Sequence, residues 1–222
     1  MIGPLALIGG DEWTEGCSFD AGLLARSGAS TVVVLATAAA YEQPGRLTER
    51  ARHWFNGPGA TVEVLDVYRR PDAMDLELAE RLRGAKFITL SSGTSMHLRS
   101  VMLGTPVWKA LIAAWNGGAV LAASGESAAA LSSHCVDSRG GAFTVGLGAI
   151  EGLTVVPQFG SWSEDKWHRT VELAGKGLAV AGVDAATALI YADGAWTVEG
   201  AGSVTAVRDG KRITIDELPS LE

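Results

Sequence analysis

What most constrains this chain is an alternation. Short apolar runs (LALIGG from Leu5, TVVVLATA from Thr31, ATVEVLDV from Ala60, KFITL from Lys86, AVLAAS from Ala119) are separated by stretches with helical periodicity. Helices are predicted over 17–26, in PGRLTERARHWFNG with Pro44 near its start and Gly57 just after it, in DAMDLELAERLRGA closed by Gly84, and in TPVWKALIAAWNGG. Strands that alternate with helices must run parallel, because each crossover returns the chain to the same sheet edge. The predicted fold is α/β, in three layers, with a mostly parallel central sheet and helices on both faces. Ligands of such sheets sit at the carboxyl ends of the strands. Those ends carry GGDEW, TAAAYEQP, SSGTSMH and SGES.

The last third changes character. Seven short strand-like runs follow residue 141, interrupted by one amphipathic helix at about 163–175. Asp193-Gly194 and Asp209-Gly210 predict hairpin turns. No linker, repeat or low-complexity tract divides the 222 residues, so one domain spanning 1–222 is expected. The β-rich third offers a surface for homodimer contacts.

Charge and cysteine usage narrow the function classes. With 18 basic and 25 acidic residues the net charge is −7, which excludes the basic face of a general nucleic-acid binder and disfavours an anionic membrane surface. Cys17 and Cys135 form no paired motif, so neither a disulfide framework nor a zinc site is expected, and a cytoplasmic setting fits. MIGPLALIGGDEW lacks the basic leading region of a signal peptide, and TVVVLATAAA falls far short of the ~20 residues that cross a bilayer. No P-loop or G-x-G-x-x-G fingerprint is present, and no carboxylate or histidine cluster supports a metal, so no cofactor is expected.

LAASGESAAAL, from Leu121, reads as a nucleophile elbow. A serine on a tight strand-to-helix turn needs small residues two before and two after it, and Gly125 and Ala129 flank Ser127 in that way. On this reading the Ser127 hydroxyl stands clear at a helix N-terminus. The Ala128 N–H and a donor from Gly93 in the neighbouring SSGTS loop would then form an oxyanion hole. The bland reading is an ordinary serine helix cap.

Further segments in order give a resemblance over most of the chain. LALIGG, VVVLATAAAYEQP, AKFITLSSGTS, GGAVLAASGESAAAL, LTVVPQF and GVDAATALIYADG resemble, in sequence order, the segments of the serine peptidase family that contains cyanophycinase and dipeptidase E, on a class I glutamine amidotransferase-like fold. The resemblance implies a peptidase acting on a small peptide or amide-like ligand, with Ser127 as nucleophile. It places the family's catalytic histidine at Gln158, whose amide cannot accept the serine proton near neutral pH. Ala185 stands where the acidic member is usual, which leaves Asp184 as its substitute. Ser92 and Ser95 replace the family's first Gly and its Gln, and GSWSED replaces basic residues that serve substrate carboxylates.

Of the four histidines, His97 follows the glycine loop and is the candidate replacement base; His53 lies within a predicted helix, His134 two turns beyond Ser127, and His168 ten residues past the family position. Gly10, Trp13, Ser95, Gln158 and Trp162 are the expected pocket residues, the two tryptophans forming an apolar wall. Asp11 and Glu12 could bind a cation or cap a helix. Three readings follow: a catalytically impaired member that binds a small ligand or a partner, a working serine hydrolase with a rearranged base, and an interaction protein.

Overall fold

A computed structural model of the chain describes residues 2–221. In chain order it runs β1 (Leu5–Ile8), α1 (Phe19–Ser27), β2 (Thr31–Leu35), α2 (Pro44–Asn56), β3 (Thr61–Val64), α3 (Arg70–Ala73), α4 (Leu76–Arg83), β4 (Phe87–Leu90), α5 (Ser95–Met102), α6 (Pro106–Asn116), β5 (Val120–Ser124) and α7 (Glu126–Leu131). The remainder is β6 (His134–Val136), β7 (Phe143–Val145), β8 (Leu153–Val156), α8 (Glu164–Leu173), β9 (Ala179–Val183), β10 (Thr187–Ala192), β11 (Ala195–Gly200), β12 (Val204–Arg208) and β13 (Lys211–Ile213).

The main sheet has seven strands in the order β11-β10-β1-β5-β4-β2-β3. From β1 to β3 all neighbours pair parallel, whereas β10 and β11 add an antiparallel edge. Both faces are covered, and the alternation of side chains along each strand shows how. Ala6, Ile8, Val32, Val34 and Phe87 point into one core with Phe19, Leu23, Ala51 and Phe55 of α1 and α2. Leu5, Leu7, Val33, Leu35, Ile88 and Leu90 point into the other, filled by α4, α5, α6 and α7. A strand buried on both faces must be apolar at every position, which is why the runs read as continuous.

A second sheet, β13-β12-β9-β8, packs on the same side as α4 to α7, through Leu153, Val155, Ala179 and Ala181. The expected hairpins are present: Asp193-Gly194 and Asp209-Gly210 both have positive φ and join β10 to β11 and β12 to β13. With β7, which pairs antiparallel with β6 in a two-stranded sheet, the β-rich third serves three sheets.

Three local readings are corrected. The single helix expected in DAMDLELAERLRGA is two, because the Asp75 side chain accepts the Glu77 and Leu78 N–H groups and starts α4 afresh. The SSGTS loop is shorter than expected, because α5 begins at Ser95; this helix has no side-chain cap and is held by its buried Leu98, Val101 and Met102. His134 lies on β6, since α7 ends at Leu131. No helix among the described residues is long and apolar enough to cross a membrane.

Phe87 and Phe55 meet edge to face with ring centroids 5.8 Å apart, both fully buried between β4 and α2. Phe87→Ala is expected to cost about 3–5 kcal/mol in denaturant unfolding. A loss below ~1 kcal/mol would contradict this account of the core under α1 and α2.

Candidate functional site

β5 ends at Ser124, Gly125 turns with φ 55° and ψ −128°, and α7 begins at Glu126. In a nucleophile elbow the strained corner residue is the nucleophile itself. Here the strained corner is Gly125, and Ser127 lies two residues inside the helix. The sequence led us to expect its hydroxyl clear of the turn. Instead Ser127 is fully buried, and its Oγ donates to the Ser91 carbonyl at 2.6 Å. Ala128, expected to supply an oxyanion donor, is also buried and gives its N–H to the Gly125 carbonyl. The five-residue spacing around Ser127 matched the motif, but the corner falls two residues earlier because the strand stops at Ser124.

His97, Asp184 and Ser127 are each engaged elsewhere. His97 Nε2 bonds the Tyr68 carbonyl at 2.9 Å, and its ring meets Tyr41 edge on. Asp184 Oδ2 accepts both the N–H and the hydroxyl of Ser203, fastening the chain just before β12. Trp13, expected in the pocket wall, is buried in the α1 and α2 core. Trp162 packs beside Val136, Val156 and Val180, with Lys166 Nζ 3.7 Å above its ring. Ser95 is buried and donates to Glu126 Oε2 at 2.8 Å.

Gly10, Gly93 and Gln158 do meet at the carboxyl end of the sheet. The Gln158 N–H donates to the Gly9 carbonyl at 2.7 Å, joining the end of β8 to the end of β1, and its side chain lies against Gly10. Gly93 and Gln158 line an open cavity of about 400 Å³ with Glu12, Ser92, Arg46 and Arg50. A neighbouring cavity of about 420 Å³, across Gly93, holds Ser95 and Glu126.

Four residues of this cleft were missed or misread. Glu12 is 3% exposed; its Oε1 accepts the Ser92 N–H at 2.8 Å and its Oε2 accepts the Ser124 hydroxyl at 2.7 Å. Both oxygens are thus engaged within the fold, and neither caps a helix. Ser92 faces the cavity beside the corner. Arg46 and Arg50, four apart on α2, present one helix face to the cleft and make no ion pair among the described residues. Their spacing was the available signal. Among the described residues no three His, Cys, Asp or Glu side chains could hold a metal ion.

Comparison with known proteins agrees with this architecture. The model of peptidase family S51 matches residues 21–198, most of the chain. The chain belongs to peptidase family S51. It is 24% identical over 217 residues to a cyanophycinase of Trichormus variabilis, covering 91% of this chain and 72% of that protein, and equally to one of Nostoc sp.. The crystal structure of a peptidase from an acI-B1 Actinobacterium superposes with a TM-score of 0.86 at 26% identity, covering 99% of this chain and 97% of that one. A putative peptidase E protein from Listeria monocytogenes shares the fold, with a TM-score of 0.69 at 15% identity over 91% of this chain.

One buried carboxyl group, in the first turn of α1, titrates unusually. Burial pushes the Asp20 carboxyl up to about 7, the bond from Trp54 Nε1 partly opposes this, and nearby Glu12 adds to it. Folded Asp20 thus keeps a proton that an unfolded aspartate loses near 3.8. Between those values the folded chain binds more protons, so the contribution is present below about pH 4 and is lost as pH rises through about 7. Asp20→Asn is expected to stabilise the protein at pH 8 by up to roughly 4 kcal/mol, with little change at pH 4. Unfolding curves that shift equally at both pH values would contradict this.

Proposed function

We propose that this S51 member binds a small peptide- or amide-like ligand in its cleft without hydrolysing it. One observation carries the reading: the strand-to-helix corner is Gly125, which has no side chain, while Ser127 is buried with its hydroxyl committed to Ser91. A buried serine cannot reach a carbonyl carbon, and a serine without a base is a weak nucleophile. The resemblance puts the base position at Gln158, which lines the cleft and cannot take up a proton there.

What the cleft keeps suits binding. Arg46 and Arg50 suit a carboxylate, while Asp11, Glu12 and Glu42 line the same cavity and suit an amine. Ser92 and Gln158 offer donors and acceptors of the kind that satisfy an amide. The ligand favoured is a short peptide that carries both a carboxylate and an amine.

The test is treatment with a fluorophosphonate probe, followed by intact-protein mass measurement, beside incubation with a panel of acidic and neutral dipeptides. The expected outcome is an unchanged protein mass, with every dipeptide recovered whole. An adduct that disappears in Ser127→Ala, or turnover that this variant abolishes, would overturn the proposal.

A further inference from the structure

The corner holds a second unusual feature. A Cβ at position 125 would overlap Ser92 Oγ and lie 3.0 Å from Ser92 Cβ. Rotation of Ser92 could move its hydroxyl but not its Cβ. Nor can the Ser92 backbone withdraw. Its N–H is held by Glu12 at 2.8 Å and its carbonyl accepts the Ser91 hydroxyl at 3.1 Å. Gly93, the next residue, has φ 152° and sits so close to the Ala38 backbone that a Cβ there would overlap it. The following Thr94 N–H is bonded to the Ala38 carbonyl at 2.9 Å. Ser92 thus enters from the end of β4 into the space where a corner residue on β5 would project its own side chain.

We infer that Ser92 has taken the place of the elbow side chain, so that positions 92 and 125 share room for one side chain and the cleft retains a latent nucleophile position. The hydroxyl at the corner is that of Ser92, and a nucleophile can stand at position 125 only when Ser92 is removed. That the wild-type cleft binds rather than cleaves is the reading above; the pairing of the two positions stands apart from it. Glycine at 125 answers two demands, the positive φ and the occupied space, and only the second is relieved by changing Ser92.

Two measurements on the full chain test this. The first is thermal unfolding of Ser92→Gly, Gly125→Ala and the double variant. Gly125→Ala is expected to lower Tm by at least about 5 °C, Ser92→Gly by less, and the double variant to regain at least about a third of the Gly125→Ala loss. The remainder reflects the positive φ. Losses that simply add would overturn the pairing. The second is fluorophosphonate labelling of Ser92→Gly/Gly125→Ser/Gln158→His, where the serine oxygen at 125 bonds phosphorus, fluoride leaves and the introduced imidazole takes the proton. An adduct at position 125 is expected there, and none at Ser127 in Gln158→His alone. An adduct at Ser127 in that single variant, or no adduct in a triple variant that unfolds near the wild-type Tm, would overturn the latent position. Labelling of the unaltered protein would sink the binding reading and leave the additivity result standing.

Discussion

The cleft is organised around the Glu12 carboxyl group. It comes from the loop after β1, is almost wholly buried, and spends one oxygen on the Ser92 N–H and the other on the Ser124 hydroxyl. Those two bonds hold the carboxyl ends of β4 and β5 to the loop that follows β1. A buried carboxyl group is tolerated only when its oxygens are satisfied, so each partner is needed by the other. The consequence is local rigidity. Ser92 is held from one side and Gly93 is wedged against Ala38 from the other.

The proposed reading separates the family fold from the family chemistry. The parallel sheet, the Gly-Gly turn after β1 and the strand-to-helix turn after β5 are scaffold features, set by packing on both faces. Hydrolysis needs something more demanding, a hydroxyl, a base and oxyanion donors converging on one point. The hydroxyl of Ser127 faces a backbone carbonyl, His97 is held by Tyr68, and the Ala128 N–H closes the first turn of α7. The cationic side chains that do face the cleft come from α2, and not from the segment after Gln158, where the family resemblance placed basic residues.

The sequence was most legible where burial dictated residue type. Apolar runs such as TVVVL and AVLAAS announced strands buried on both faces, and the two Asp-Gly pairs announced their hairpins by their need for positive φ. It was less legible where one side chain resets a boundary. Asp75 divided a helix that periodicity joined, and the early end of β5 moved the strained corner from Ser127 to Gly125. The clamp by Glu12 was hidden for a different reason. Its partners lie 80 and 112 residues away, and a lone acidic residue after a strand carries no mark of what it will meet across the sheet. Trp13 shows the same limit, since its position after a glycine loop did not reveal that it folds back into the core.

Cysteine accessibility at the corner tests the central claim most directly, because the native thiols form a silent background. Cys17 and Cys135 are both buried, and burial raises both thiols, Cys135 to about 11. Ser92→Cys and Ser127→Cys would each be treated with a small methanethiosulfonate reagent under native conditions and the modification rates compared. The account predicts that the thiol at position 92 reacts at least about a hundredfold faster, since thiol reactivity follows exposure as well as acidity. Equal rates, or faster reaction at position 127, would place the Ser127 side chain in the cleft and contradict it.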